Sequence, residues 1–207
     1  MIRLHHLEQS RSQRIVWLLE ELGVEYELVH YARDPATRRA PPELREVHPL
    51  GKSPLLEDGE LLLPESGAIA DYLARRYGDG TLAPDAAAPN YGRYLQWLHF
   101  AEGSAMFPLL LDMFLDMAGE GAAGLKQHVG AELGAYLAFM EAELSERDYF
   151  AGDDFSAADV LMSFVLEFAS SRVDLSDYPK LGAYLERMHA RPAYQRAIER
   201  GTAPQAS

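Results

Sequence analysis

The 207-residue sequence contains no cysteine. That excludes disulfides, a thiol nucleophile and a redox dithiol within the chain, and it leaves the cytosol as the simplest compartment. The N-terminus lacks a basic segment leading into an apolar one, and no uninterrupted apolar run approaches the length of a membrane span. Glycine patterns of the phosphate-loop and dinucleotide-binding kinds are missing. The 7 histidines show no His-x-x-x-His spacing, and His5 and His6 fall on opposite faces of a strand, so no metal site is expected. Positive charge is scarce too: 19 Lys and Arg stand against 32 Asp and Glu, a net of −13. A chain of that sign disfavours nucleic acid and anionic membrane as its main partners.

What remains is 48% hydrophobic and 25% charged, a soluble globular profile with enough length for one large domain or two small ones. The charge is uneven. Residues 1–80 hold 10 of the 19 basic and 14 of the 32 acidic side chains, a net of −4, which leaves −9 for the rest. An anionic small ligand therefore belongs with the first part. Ile2–Leu7 reads as a strand, and Glu8 to Ser12 as a polar turn with Ser12 as N-cap. Ile15, Leu18, Leu19 and Leu22 recur at helical spacing, and Gly23 supplies the stop. Tyr26–Tyr31 is a second strand. Such short joints make a βαβ unit with parallel strands. Pro41-Pro42 opens a short helix over 43–47.

The stretch from Pro49 to Gly67 organises the first part. Pro54 pushes Ser53 out of the helical region. Leu55-Leu56 and Leu61-Leu62-Leu63 flank Asp58-Gly59, a hairpin turn pair. Ser66 reads as the N-cap of a helix reaching about Tyr77. A lysine (Lys52), an extended backbone at Ser53 and a carboxylate-plus-hydroxyl pair (Glu65, Ser66) can hold a small zwitterionic peptide by its backbone and both charged ends.

Residues 79–89, rich in Gly, Pro and Ala, read as a linker between a domain over 1–78 and one over 90–207. The second domain is helical throughout. One helix spans 90–118 and is kinked or broken at Pro108. A glycine-rich gap over 119–124 leads to a helix over 125–145. Phe155-Ser-Ala-Ala-Asp-Val160 forms a capping box with a hydrophobic staple, heading a helix apolar all round that belongs in the middle of a bundle. Pro179 and Pro192 open two more helices, and a frayed tail starts at Gly201.

This order of elements resembles the soluble glutathione S-transferase superfamily over essentially the whole chain. The motifs that carry the resemblance are His48-Pro-Leu-Gly-Lys-Ser-Pro-Leu-Leu56, Pro64-Glu-Ser66, Phe155-Ser-Ala-Ala-Asp-Val160 and Tyr178-Pro…Tyr184-Leu…Arg191-Pro-Ala-Tyr194, in the right sequence and spacing. The fold implied is a thioredoxin-like β-α-β-α-β-β-α domain followed by an all-α domain. Within the superfamily the chain looks most like the serine-type bacterial enzymes and related fungal transferases. Tyrosine-type members place a Tyr where this chain has His5-His6.

The resemblance implies that Ser10, four residues before Arg14, holds the thiolate of glutathione, with Ser12 as second candidate. It also implies a cis bond at Pro54, pairing of the Ser53 backbone with the cysteinyl unit, Glu65 and Ser66 on the γ-glutamyl end, and Lys52 on the glycyl carboxylate. Arg38 or Arg39 can reach that carboxylate as well; otherwise the basic stretch Arg33, Arg38, Arg39 and Arg45 reads as solvated surface. Met106, Phe107, Leu110 and Phe114 are core, dimer contact or the apolar pocket for a hydrophobic electrophile. Glutathione is then a co-substrate with no other cofactor, and the expected protein is a cytoplasmic homodimer, with a glutathione-dependent peroxidase side activity open to it. The rival is a non-catalytic ligand-binding or protein-docking module on the same fold, which has no need for Ser10, Lys52, Glu65 and Ser66 together.

Overall fold

The computed structural model describes residues 1–119 and 122–202; part of the gap expected over 119–124 and most of the tail expected from Gly201 lie outside the described residues. Two compact units form: Met1–Ala83 together with the segment from His189 onward, and Pro84–Met188. Where the sequence assigns all of 90–207 to the second domain, the structure returns the final helix to the first.

In the first unit β1 (Ile2–Leu7), α1 (Ser12–Leu22), β2 (Tyr26–Tyr31), α2 (Leu44–Val47), β3 (Leu55–Asp58), β4 (Leu61–Pro64) and α3 (Ser66–Tyr77) follow the expected order. The sheet runs β2-β1-β3-β4, with β1 parallel to β2 and antiparallel to β3. Ile2, Leu4, His5, His6 and Leu7 are all buried, because a central strand is covered on both faces. The hairpin turns through Gly59-Glu60, with Asp58 paired to Leu61, one residue later than Asp58-Gly59. Gly59 takes φ 63°, which a two-residue hairpin loop of this kind demands at its first position.

Helix α1 buries Ser12, Arg14 and the run Ile15 to Leu19, since it packs on β1, α3 and the last helix, α9 (Pro192–Thr202). Trp17 meets Tyr194 edge-on at 5.2 Å. Glu20 receives Arg196 at 3.0 Å and Arg200 at 2.9 Å, and Glu21 receives two bonds from Arg191 at 2.6 and 2.9 Å. Ion pairs this near the surface each contribute about 1 kcal/mol or less. The apolar burial holds α9, and the charges fix its register.

The second unit comprises α4 (Tyr91–Phe100), a π-helical turn over Ala101–Ala105, α5 (Met106–Ala118), α6 (Ala123–Glu146), α7 (Ala157–Ser170) and α8 (Pro179–His189), up to Met188. The break expected at Pro108 comes earlier, as the wide turn. Pro108 has no N–H for the carbonyl four residues back and its ring crowds that carbonyl, so the preceding turn opens. Tyr91–Ala118 is nonetheless one helical stretch of 28 residues, long and apolar enough by length and composition to cross a membrane, though charged residues interrupt it. Its charges are engaged within the unit: Arg93 with Glu143 at 2.6 Å, Asp112 with Arg172 at 2.5 Å.

α7 buries ten of its residues at the centre of the unit and carries the expected capping box. Asp159 accepts from Phe150 N–H (2.9 Å), Ser156 N–H (2.9 Å), Ser156 Oγ (2.8 Å) and Tyr184 Oη (3.0 Å). Burial pushes its pKa up, and these four donors oppose the shift. Trp97, stacked on Phe139 at 5.2 Å, anchors the aromatic core beside it.

Candidate functional site

Residues 8–11 turn the chain from β1 into α1. Ser12 is the first helical residue rather than the N-cap, which falls to Arg11. The reason is tertiary: the Ser12 hydroxyl faces inward, 2.8 Å from His6 Nδ1, 2.8 Å from Ser10 Oγ and 3.1 Å from the Leu7 N–H. Ser10 takes over part of the capping, accepting the Ser12 N–H on Oγ at 3.2 Å and the Gln13 N–H on its carbonyl at 3.1 Å. Ser12 is 0% exposed and Ser10 9%. Of the two serines only Ser10 retains any exposure, and it sits at the positive end of α1.

Arg33 sets the shape of this turn. Its guanidinium donates to the carbonyls of Glu8 (3.0 Å), Gln9 (3.0 Å) and Arg38 (2.9 Å), while Glu8 Oε1 accepts the Arg33 N–H at 3.0 Å. Burial, reinforced by the charge of Arg38, lowers its pKa. Sequence reasoning assigns Arg33 to solvated surface; it is instead a clamp that holds Gln9 at φ 49°. Arg38 donates to Gln9 Oε1, which ties the 34–39 loop to the same turn, and Arg39 is exposed on that loop.

The Ser53–Pro54 bond is cis. Ser53 Oγ donates to the His5 carbonyl at 2.8 Å and accepts the Leu7 N–H at 3.1 Å, which fastens this loop to the end of β1 where the Ser10 turn begins. Lys52 is exposed on the loop. Ser66 is again inside its helix and Glu65 is the N-cap, at φ 72°. Arg14, only 2% exposed, explains the shift by donating to Ser66 Oγ at 2.5 Å. A non-glycine residue at such a φ costs on the order of 1–3 kcal/mol, and strain of that size collects where ligands bind.

The structure therefore brings Ser10, Ser12, Ser53, Pro54, Glu65 and Ser66 onto β1, α1, α3 and the loop between. A helix N-terminus, a hydroxyl and a buried guanidinium suit a carboxylate. Exposed Glu65 suits an ammonium, Lys52 a second carboxylate, and the α1 terminus with Ser10 an anion. Met106 is core at 1% exposure, whereas Phe107 and Phe114, at 64% and 55%, form an apolar stripe with half-buried Leu110 on α5. Sequence reasoning missed the roles of Arg14, Arg33 and His6. For Arg14 a signal existed, since it precedes Leu18 by one helical turn on the apolar stripe.

His6 is 1% exposed. Its Nε2 donates to the Gly201 carbonyl at 3.0 Å, so Nδ1 is the acceptor and Ser12 the donor between them. Burial pushes its pKa down to about 4 from 6.5. The folded protein thus keeps His6 neutral where the unfolded chain already binds a proton. Stability is fully present above pH 6.5 and drains as pH falls toward about 4, a loss of about 3 kcal/mol from this group. Urea unfolding across that range should show the loss in the wild type and a flatter profile in His6→Gln; equal slopes would contradict it.

The "Glutathione S-transferase, N-terminal domain" family matches residues 1–75, and the "Glutathione S-transferase, C-terminal domain" family matches residues 102–192. Glutathione S-transferase 3 of Schizosaccharomyces pombe is 36% identical, over 97% of this chain and 88% of its own. Glutathione S-transferase 1 of Saccharomyces cerevisiae is 33% identical, over 98% and 96%. Among solved structures, a glutathione S-transferase of Actinobacillus pleuropneumoniae superposes with a TM-score of 0.90 at 38% identity, over 97% of this chain and 93% of that one. A sphingomonad glutathione S-transferase complexed with glutathione gives 0.81 at 29%, over 98% and 100%.

Proposed function

Because the chain belongs to the glutathione S-transferase family and is a glutathione transferase, joining glutathione through sulfur to an electrophile, we propose that it works as a serine-type enzyme in which the Ser10 hydroxyl donates to the thiolate. The observation that carries this is the contrast between the two serines. Ser12 is fully enclosed and its oxygen is engaged by His6, Leu7 and Ser10, while Ser10 retains a slight exposure at the α1 terminus.

A thiol of pKa about 8.5 is only about 3% thiolate at pH 7. Lowering that pKa by about two units takes about 2.7 kcal/mol of differential stabilisation and raises the thiolate to roughly three-quarters. A hydrogen bond to a charged acceptor supplies about 1.5–3 kcal/mol, and the helix terminus adds some tenths more. The thiol proton leaves to solvent. The sulfur lone pair forms the new S–C bond, and a displaced leaving group departs with the electron pair of the bond that breaks. No covalent enzyme intermediate is involved; positioning and thiolate stabilisation do the catalysis.

Glutathione is held along the Ser53 backbone beside Pro54, with Ser66 on the γ-glutamyl carboxylate, Glu65 on its ammonium, and Lys52, helped by Arg38 and Arg39, on the glycyl carboxylate. Phe107, Leu110 and Phe114 meet the hydrophobic part of the electrophile. Glutathione is a co-substrate, without a further cofactor, and the same thiolate serves a peroxidase side activity. We place the protein in the cytoplasm as a homodimer.

Difference absorbance of the thiolate, followed against pH, tests the reading. The bound thiol should titrate roughly two units below the free one, and a bound thiol that titrates as in water would sink it. Lys52→Ala should raise KM for glutathione about tenfold, the size of one charge-assisted bond, with kcat nearly unchanged. Steady-state kinetics with glutathione varied would read this, and a fall in kcat at constant KM would speak against Lys52 on the glycyl end.

A further inference from the structure

We propose that His6, anchored by Gly201 of the C-terminal helix, is a positioning residue that directs the Ser10 hydroxyl, through Ser12. The proposal rests on the reading of Ser10 as the thiolate partner. It begins with an acceptor that has no alternative. A carbonyl oxygen only accepts, so the 3.0 Å bond from His6 to Gly201 puts the ring hydrogen on Nε2 and leaves Nδ1 bare. Ser12 must then give its one hydrogen to Nδ1, at 2.8 Å. The Ser12 oxygen, already accepting from the Leu7 N–H at 3.1 Å, has one lone pair left, and Ser10 Oγ lies 2.8 Å away. The Ser10 hydrogen is the only one that fits there. Every donor in the chain Ser10, Ser12, His6, Gly201 therefore points the same way.

Such one-way order parks the Ser10 hydrogen on Ser12 in the free enzyme and holds Ser10 Oγ in place together with the 3.2 Å bond from the Ser12 N–H. An arriving thiolate is a charged acceptor, about twice as strong as a neutral one, so the hydrogen swings from Ser12 to sulfur and nothing else in the chain moves. Without Nδ1, the Ser12 hydrogen turns to the Leu7 carbonyl at 3.2 Å or to Ser10 Oγ itself. The first moves the Ser12 lone pair off its mark. The second fills both lone pairs of Ser10 and fixes its hydrogen by the geometry at its oxygen. Either way the swing is lost. The titratable groups facing His6 are His30 of β2, edge-on at 5.3 Å, and Glu8 in the turn.

The far anchor is built for close approach. A Cβ on Gly201 would stand 2.0 Å from Gln13 Oε1, and Gln13 is itself held by Nε2 to the Ala197 carbonyl at 2.7 Å. Glycine here lets α9 come near enough for its carbonyl to reach the strand.

The test compares two isosteres of the imidazole. Gln places an amide N–H near the Nε2 position and keeps the Gly201 bond without the acceptor for Ser12; Asn places a carbonyl near Nδ1 and keeps the acceptor without the bond. His6→Gln should lower kcat/KM about tenfold through kcat, raise the bound thiol's pKa and leave KM for glutathione within about twofold. His6→Asn should recover most of that loss even where it melts earlier. In a Ser10→Ala background, His6→Gln should cost almost nothing further. Equal impairment in the two His6 variants, or a full additional loss in the double variant, would overturn the relay. If Ser10→Ala alone leaves turnover intact, the underlying assignment of Ser10 fails, and the relay with it.

Discussion

Replacing Ser10 by alanine should lower kcat/KM at neutral pH by roughly tenfold to a hundredfold, the equivalent of one hydrogen bond to a charged acceptor. Glutathione should still bind, because the proposed contacts to its ends, Lys52, Glu65 and Ser66, are left in place. What is lost is the ionised fraction of its thiol, so the bound pKa should climb by one to two units, to nearly that of free thiol, about 8.5. The deficit should therefore narrow as pH rises through that value. Initial rates with a chlorinated nitroaromatic across the pH range read both effects. Ser12→Ala should behave otherwise. It strips His6 Nδ1 of its buried donor, while the Leu7 N–H keeps Ser53 Oγ, and costs about 1–3 kcal/mol of stability. A folded Ser12→Ala enzyme that is dead beside an unimpaired Ser10→Ala would reverse the two assignments.

Asp159→Ala should be the most damaging substitution for folding. It removes a fully buried acceptor of four hydrogen bonds, two of them from Ser156 in α7's capping box, and leaves two backbone N–H groups and the Ser156 hydroxyl to find partners where water does not reach, while the Tyr184 hydroxyl keeps the Asp159 carbonyl at 3.3 Å. An unsatisfied buried polar group costs about 1–3 kcal/mol and the lost cap about 1, so a loss of about 4 kcal/mol or more is expected. Against a total stability of about 5–15 kcal/mol for a folded protein, that is a large share of the whole. Urea titration monitored at Trp97 would measure it; a change under about 1 kcal/mol would mean that the four donors re-pair on their own.

Both substitutions act on features of different legibility. The capping box could be read from Phe155 to Val160 because all its partners lie within six positions. Val129, Leu133, Leu137, Met140 and Leu144 recur at helical spacing within the helix expected over 125–145, and each of them is buried. Local pattern also gave two wrong caps. A serine at a helix start satisfies the rule for an N-cap by type, but Ser12 and Ser66 point away from their own helices toward His6 and Arg14, partners set by the packing of distant elements. Arg33 hid for the same reason. Its acceptors are backbone carbonyls, two of them 24 and 25 positions away, and a carbonyl leaves no mark on a sequence. What could be read of the site was its list of residue types; which of the two serines is fully enclosed was decided by contacts no periodicity encodes.

The return of α9 to the first unit has a consequence for how the chain is made. Its ties to α1 and β1, Glu21 to Arg191, Gln13 to Ala197 and His6 to Gly201, span 170, 184 and 195 positions. On the ribosome β1 and α1 emerge first, and the side of α1 that bears Trp17 then waits for a helix still untranslated, for on the order of ten seconds or longer at ordinary elongation rates. Pro84–Met188 is one unbroken segment and meets no such delay. Contacts of such long range also close slowly once the chain is free. The second unit is therefore complete while the first still lacks its cover, and β1 and α1, made before the second unit, are finished after it.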